Sequence, residues 1–573
     1  MFLTATDRIE RYVAKGWWGH ETVDMLFQRD CAEGGDSLAL VDPPNRPQLD
    51  GPAAERLSWV ALHDRVESLC AAFLDLGIRK DDVICVQLPN TVDAVINLLA
   101  AARLGLIISP LVMQYREHEL AYILAQTQPA AFITVPSFRG HDHVAMAARI
   151  AAPMPGVRLL SFGNAGEAAI DLREAALHAD GVVVAAYVAA HPTDAAEVLT
   201  ICWTSGTESR PKGVPRDHNH WMLNARVMVE AAGMRAGETL LNPFPLVNIG
   251  SIGGLVLPWL WGRGVLVLHH PFDLGIFLGQ IAEERVNYTI AAPAILTALL
   301  KQPALMQQAD LSSLRAVGSG SAPLSPWLIE TFARDHKIEV CNIFGSNEGC
   351  SLFSGPAQVP DHVERARYFP RFGAKDVAWP GLAATMVKTR LVDPGTEEDI
   401  STPGRPGELR LDGPTMFSGY WRAEALTRAS FDAFGYFRTG DLFEIAGEGD
   451  LARFYRFVGR HKEIIVRGGV NISPAEIDDL LVGHPMLREA AVVGVPDPDL
   501  GERMAIGVVP NDGAAPTLAD VTAWLRGRGV ATFKQPERIA ILDALPRNAM
   551  NKVMRAELRR LVLETASTMD SAP

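Results

Sequence analysis

From about residue 60 the chain alternates between two hydrophobic periods. Residues 62–76 carry apolar side chains at helical spacing, 83–88 form a continuous apolar run, 92–104 return to helical spacing, and 106–109 make a short apolar run. Strand and helix in alternation predict βαβ units and an open α/β sheet. The pattern continues with a helix over 117–125 and strands over 131–135 and 157–162. Further strands are predicted over 198–203, 264–268, 288–291, 316–319 and 339–343, separated by helical stretches. No fixed-length repeat runs through the chain, which argues against a solenoid. Beyond Gly404 the texture turns β-rich, and 407–411 and 453–458 read as strands between Gly and Pro turns. After about residue 462 short α/β units resume: Ser473-Pro474 opens a helix, 490–495 and 538–542 read as strands, 518–526 as a helix, and the chain closes on a basic helix. A domain boundary is expected at Gly459 to Lys462, where a glycine precedes a charged run.

Composition narrows the class. A chain of 573 residues with 48% apolar and 21% charged positions is expected to hold at least two cores. Its 53 Lys+Arg against 67 Asp+Glu give a net charge of -14, which excludes a general attraction to nucleic acid or anionic lipid but not a local basic site. The six cysteines are scattered, with no C-x-x-C pair and no zinc spacing, as expected of buried free thiols in a reducing, cytoplasmic compartment. The start lacks a signal-peptide pattern, and the most apolar stretches are interrupted by Asn97, Arg103, Pro110 and Arg263, so no membrane span is expected.

The most informative loop is Trp203-Thr-Ser-Gly-Thr-Glu-Ser-Arg-Pro-Lys-Gly-Val214. Hydroxyls and backbone N–H groups of Thr204, Ser205, Gly206 and Thr207 can wrap phosphate oxygens, and Lys212 supplies a mobile positive charge. It is not a P-loop, because no G-K-[ST] follows the glycine. Taken alone, such a loop is more often a polar surface turn. Four further segments follow in order: Asn342-Ile-Phe-Gly-Ser-Asn-Glu348; Gly435-Tyr-Phe-Arg-Thr-Gly-Asp441; Gly459-Arg-His-Lys462 with Gly468-Gly-Val-Asn-Ile-Ser-Pro-Ala-Glu476; and Pro546-Arg-Asn-Ala-Met-Asn-Lys552. Together they resemble the signatures of the adenylate-forming superfamily, which holds acyl- and aryl-CoA synthetases, luciferase-like enzymes and peptide-synthetase adenylation domains. The resemblance covers essentially the whole chain.

That resemblance implies an α/β fold with a large N-terminal domain of α/β layers and a small β-barrel-like subdomain (1–459), then a small mobile α/β C-terminal domain (460–573) hinged at Lys462. It implies ATP and Mg²⁺, with coenzyme A as co-substrate. Adenylation joins a carboxylate to the α-phosphate of ATP, so the site must screen several negative charges. By resemblance, Thr204, Ser205, Gly206, Thr207 and Lys212 contact phosphate. Glu348 holds Mg²⁺ with Thr204 beside it, Asp441 holds the ribose, and Arg460 reaches ribose or phosphate. Phe344 stands where an aromatic ring packs against adenine, in one motif with Gly345 and Asn347. Asn342, Gly320, Ser321 and Ala322 line adenine and the acyl-phosphate. Lys552 enters the site for the first half-reaction and withdraws when the C-terminal domain turns. Gly468 and Gly469 let the pantetheine arm of CoA pass close to the backbone. Lys552, Glu348 and Lys212 are thus the catalytic candidates.

The chain departs from the pattern at four places. Glu208 and Ser209 replace Thr-Gly, Asn347 replaces Thr, and Asn551 replaces the glycine before the catalytic lysine, a position where Asn accepts left-handed geometry. The acyl pocket is expected along Asn248, Ile249 and Gly250, with Gly318 and Gly320, and Asn248 either binds a polar substituent, gates the pocket or serves as a loop amide. These small and apolar runs suit a cyclic, aromatic or medium-chain carboxylic acid, with no carboxylate to receive an amino acid's ammonium. The texture of Tyr12-Val-Ala-Lys-Gly-Trp-Trp18 and Tyr115-Arg-Glu-His-Glu-Leu120 resembles the branch of cyclohexanecarboxylate-type and aryl-acid ligases. An acid–AMP ligase loading a carrier-protein phosphopantetheine, a luciferase-like oxygenase and a non-catalytic adenylate-binding protein stay open, as does a homodimer.

Overall fold

A computed structural model describes residues 1–573 except 178–181, 205–210, 350, 376, 461–462, 468–469, 498–499, 529, 531, 549–550 and 570–573. The βαβ units build two open sheets where the hydrophobic pattern suggests one. In the first, Glu339–Gly345, Ala316–Gly320, Tyr288–Ile290, Thr239–Asn242, Val265–Leu268 and Leu38–Val41 run parallel in that spatial order. Antiparallel strands Ser351–Ser354 and Arg56–Ser58 close its edges. In the second the order is Lys212–Asp217, Val198–Thr204, Ile107–Pro110, Val83–Val86, Ala131–Thr134, Arg158–Ser161 and Ile170–Asp171, parallel except for the first pair. Periodicity alone does not say which strands pair, so the division into two sheets is not visible in it.

One core joins the facing sides of the sheets, with Leu40, Leu240, Leu266 and Tyr288 from the first and Ile84, Ile108, Ile133 and Leu199 from the second. The helix Val92–Leu104 forms at the predicted bounds, with every residue but Arg103 buried. That is the signature of a helix packed on all sides. Gly105 ends it in the left-handed region at φ +69°, donating its N–H to Ala101 O. A second helix, His218–Ala231, is capped by Asp217 and also lies in this core through Trp221, Met222 and Val227.

The β-rich stretch beyond Gly404 joins a five-stranded antiparallel sheet in the order Tyr368–Pro370, Phe454–Arg460, Phe437–Ile445, Gly407–Asp412, Lys388–Val392. The C-terminal strands Val470–Ile472, Ile465–Arg467, Gly501–Pro510, Leu487–Asp497 and Arg538–Ile541 form a separate sheet. Its own core includes Ile477, Val492, Ile506 and Leu525. Among the described residues no helix is long and apolar enough to cross a membrane. The five described cysteines are buried and unpaired.

Candidate active site

The carboxyl ends of parallel strands, where α/β sheets characteristically bind ligands, carry several candidates. Ala316–Gly320 and Glu339–Gly345 pair with Gly318 opposite Cys341 and Gly320 opposite Ile343. A β-carbon at residue 320 would stand 2.0 Å from the Ile343 carbonyl oxygen, and one at residue 318 would stand 2.4 Å from the Tyr288 hydroxyl. Only glycine fits at 320, where the obstacle is backbone, and at 318 the Tyr288 and Ile343 side chains would have to move. Ser321 then turns the chain at φ +69°, with Ser321 and Ala322 exposed. Asn342 is buried and donates its amide to Arg365 O and Ala366 O, each at 3.0 Å. Phe344 sets its ring edge-on to Phe443 at 5.0 Å and near Phe369 at 6.0 Å, joining the first sheet to the antiparallel one. Gly345, opposite Ser351, is exposed.

Lys212 and Glu348 meet at one phenol. Thr204 pairs with Lys212 across the antiparallel strands, so the phosphate-loop candidates between them start and finish side by side. Ser205, Gly206 and Thr207, with the departures Glu208 and Ser209, lie outside the described residues. Glu348 is buried, and its Oε1 accepts a 2.9 Å hydrogen bond from the Tyr420 hydroxyl. The Lys212 ammonium sits 5.5 Å from the centroid of the same Tyr420 ring. The backbone repeats the arrangement: Phe417 N–H donates to Glu348 O at 2.8 Å and Trp421 N–H to Gly213 O at 2.9 Å. Behind Glu348 lies Arg216, fully buried, donating to Asn347 O and His220 O at 3.1 and 3.2 Å and lying over the Trp221 ring. Burial pushes its guanidinium down to about 10, against the opposing pull of Cys202, Asp217 and Glu348.

The acyl-pocket candidates attach to the same motif. Asn347 Oδ1 accepts from Ile249 N–H at 2.8 Å, and Asn248 Oδ1 accepts from Ser251 N–H at 2.9 Å, capping the turn that leads into the π-helix Ile252–Val256. The Asn248 side-chain oxygen therefore caps this turn. Gly250 lies on that same turn, partly buried.

On the other side, Asp441 faces Arg460 across two antiparallel strands, with Nε 3.2 Å from Oδ1. Burial pushes the Asp441 carboxyl up to about 6, while Arg460 and Lys552 pull it back. Lys552 is held below the ordinary lysine range by burial and by Arg460, with Glu463 and Asp441 opposing. A lysine near the end of the chain thus lies beside a carboxylate more than a hundred residues earlier. Asn551 adopts φ +61°, the left-handed geometry anticipated for it. Lys462, Gly468 and Gly469 lie outside the described residues.

No group of three or more His, Cys, Asp or Glu that could hold a metal ion occurs among the described residues. A single buried carboxylate such as Glu348 fits Mg²⁺, which takes one or two carboxylates and completes its shell with phosphate oxygens and water. Tyr420 and Arg216 were not singled out by sequence reasoning. Neither carries a nucleophile or metal-ligand signature, and Tyr420 meets Glu348 only across 72 residues of chain.

Comparison with known proteins shows the family. Residues 27–421 match the AMP-binding enzyme family and residues 476–552 the AMP-binding enzyme C-terminal domain. The indoleacetate–CoA ligase of Aromatoleum aromaticum is 31% identical over 507 residues, covering 88% of this chain and 93% of that protein. A Streptomyces salicylyl-CoA synthase / salicylate adenylyltransferase is 29% identical over 575 residues, covering 98% and 97%. The crystal structure of ATP-bound MatB from Rhodopseudomonas palustris superposes with a TM-score of 0.77 at 27% identity, covering 94% of this chain and 98% of that one. The chain belongs to the AMP-binding enzyme family, the adenylate-forming enzymes that its motifs resemble.

Proposed function

We propose that this chain is an AMP-forming carboxylic acid–CoA ligase acting on a cyclic, aromatic or medium-chain acid. The observation that carries the reading is the Asp441–Arg460 pair, with Lys552 near enough for its charge to act on both. In the first half-reaction a carboxylate oxygen of the acid bonds to the α-phosphorus of ATP, the bond to the bridging oxygen breaks, and pyrophosphate leaves. Asp441 accepts hydrogen bonds from the ribose hydroxyls. Lys552 pairs with the incoming carboxylate and the α-phosphate, lowering the repulsion between two anions. Lys212, Thr204 and the loop 205–207 hold the outgoing phosphates. Glu348 and Thr204 are the residues that would hold Mg²⁺, which screens phosphate charge when bound.

In the second half-reaction the CoA sulfur bonds to the acyl carbon and AMP leaves. The division into 1–459 and 460–573 supplies the change of pose. Turning at Lys462 carries Lys552 away and brings Gly468–Gly469 to the pantetheine arm. The separate C-terminal sheet and core support this reading. Ring acids are favoured by the apolar Ile249 and the small Gly250, and by relatives named for indoleacetate and salicylate.

Pyrophosphate exchange over a panel of ring and medium-chain acids, followed by mass detection of the CoA thioester, tests the reaction. Exchange without thioester would point to a carrier-protein acceptor. Exchange with none of the acids would overturn the reading. Lys552→Ala is expected to reduce acid-dependent pyrophosphate release by roughly a hundredfold or more while sparing thioester formation from supplied acyl-adenylate. Equal loss of both halves would contradict its role.

A further inference from the structure

We propose that Tyr420 is a positioning residue for adenylation, one phenol that places the carboxylate of Glu348 and the ammonium of Lys212 relative to each other. The inference rests on the catalytic reading of those two residues. Its geometry is independent of that reading: the hydroxyl donates to Glu348 Oε1 at 2.9 Å, and the Lys212 nitrogen lies 5.5 Å from the ring centroid.

Glu348 and Lys212 arrive from different sheets. Glu348 follows the strand Glu339–Gly345 of the first, and Lys212 opens the strand Lys212–Asp217 of the second. Arg216 on the second sheet's strand ties the backbones together by donating to Asn347 O at 3.1 Å, but both charged side chains are long and flexible and that contact does not orient them. The segment 413–421 bridges the gap. Its backbone grips Glu348 O through Phe417 N–H and Gly213 O through Trp421 N–H. The Tyr420 side chain then addresses both charged groups from between those two grips.

The ring is itself held in place. It is 8% exposed and packs edge-on against Phe417 with centroids 4.8 Å apart. Tyr420 N–H donates to Thr427 Oγ1 at 2.9 Å. Gly419, at φ +147°, brings the backbone so near Thr427 that a β-carbon would stand 2.5 Å from its methyl group. A phenol is protonated at neutral pH, so the Tyr420 hydroxyl acts as the donor to the Glu348 carboxylate. A neutral donor on one carboxylate oxygen orients the group without cancelling its charge, leaving it able to bind a hard cation. The ring face offers Lys212 an attraction that persists with the phenol protonated.

The two contacts separate by substitution. Tyr420→Phe removes the hydrogen bond and keeps the ring; Tyr420→Leu removes both. ATP binding to the full-length protein is measured by calorimetry with Mg²⁺ and with EDTA, and pyrophosphate exchange is titrated with Mg²⁺. Tyr420→Phe is expected to raise the Mg²⁺ concentration for half-maximal exchange by roughly an order of magnitude. Its ATP affinity in EDTA should stay within about twofold of the parent. Tyr420→Leu is expected to weaken binding in EDTA as well. A Mg²⁺ requirement unchanged in Tyr420→Phe overturns the proposal, and so does equal loss in both variants under both conditions. Glu348→Gln is the control: if it leaves the Mg²⁺ requirement untouched, the metal reading of Glu348 fails. If it shifts the requirement while Tyr420→Phe does not, only the role of Tyr420 fails.

Discussion

Asp441 illustrates how one side chain records the competition between burial and function. Burial raises its carboxyl from 3.8 to about 6, and the cations Arg460 and Lys552 hold it from rising further. In the proposed reaction only the ionised form accepts two ribose hydroxyls. Because the value is raised, the proton returns on the acid side near pH 6, well above the usual carboxylate range. Turnover at limiting ATP should therefore fall as pH drops through about 6, and Asp441→Asn should be slower throughout and lack this acid limb. Initial rates of pyrophosphate exchange from about pH 5 to about pH 8 check this; an acid limb surviving in Asp441→Asn would place it elsewhere. Lys552 shows the opposite displacement, since burial and Arg460 disfavour its charged form. The motif identified both residues, but their effect on each other depends on proximity across more than a hundred residues.

The loop that presents Lys552 owes its shape to contacts that local sequence only partly announces. Asn548 N–H donates to Lys552 O at 2.9 Å, Lys552 N–H donates back to Asn548 Oδ1 at 2.9 Å, and Arg547 pairs with Val553 as an isolated bridge. Asn551 at φ +61° lets the turn close. Asn551→Gly should keep both fold and adenylation, whereas Asn551→Val should cost about 1–2 kcal/mol and slow adenylation with it. Chemical denaturation read beside pyrophosphate exchange tests this, and a Val variant as stable as the parent would contradict it. Arg555, three residues after Lys552, binds Asp478 at 2.5 Å and lies 3.3 Å from Glu463, tying the loop to the helix Pro474–Leu481 and to Glu463.

Helices with one strong period were readable: Val92–Leu104 has the predicted bounds, and Ser473 caps the helix Pro474–Leu481 as its Ser-Pro start suggests. The strand Lys212–Asp217 is hidden in the sequence, because Gly213 and Pro215 break the β pattern and only pairing with Val198–Thr204 makes it a strand. The π-helix Ile252–Val256 likewise has no signature in a period that resembles an ordinary helix.

Across the molecule, the arrangement places two groups of candidates: Lys212 and Glu348 at Tyr420, and Lys552 with Arg460 at Asp441. In the proposed cycle this pose serves adenylation, and a turn at Lys462 must follow. Lys462→Pro, which restricts the backbone at the proposed hinge, is expected to retain pyrophosphate exchange within about tenfold while CoA thioester formation falls by roughly a hundredfold. Full thioester turnover would argue against a hinge there.

Local order was written into the chain: the alternation of periods, the asparagine at a left-handed turn, and the residues within each nucleotide motif. Each depends on backbone geometry or side-chain chemistry within a few positions. What folding alone decided is which of these distant pieces touch. Leu38–Val41 finds Val265–Leu268 more than two hundred residues on, the βαβ units divide into two sheets, and Tyr420 comes to lie between Glu348 and Lys212. Those pairings follow from how whole sheets pack against one another, and no window of sequence holds both partners.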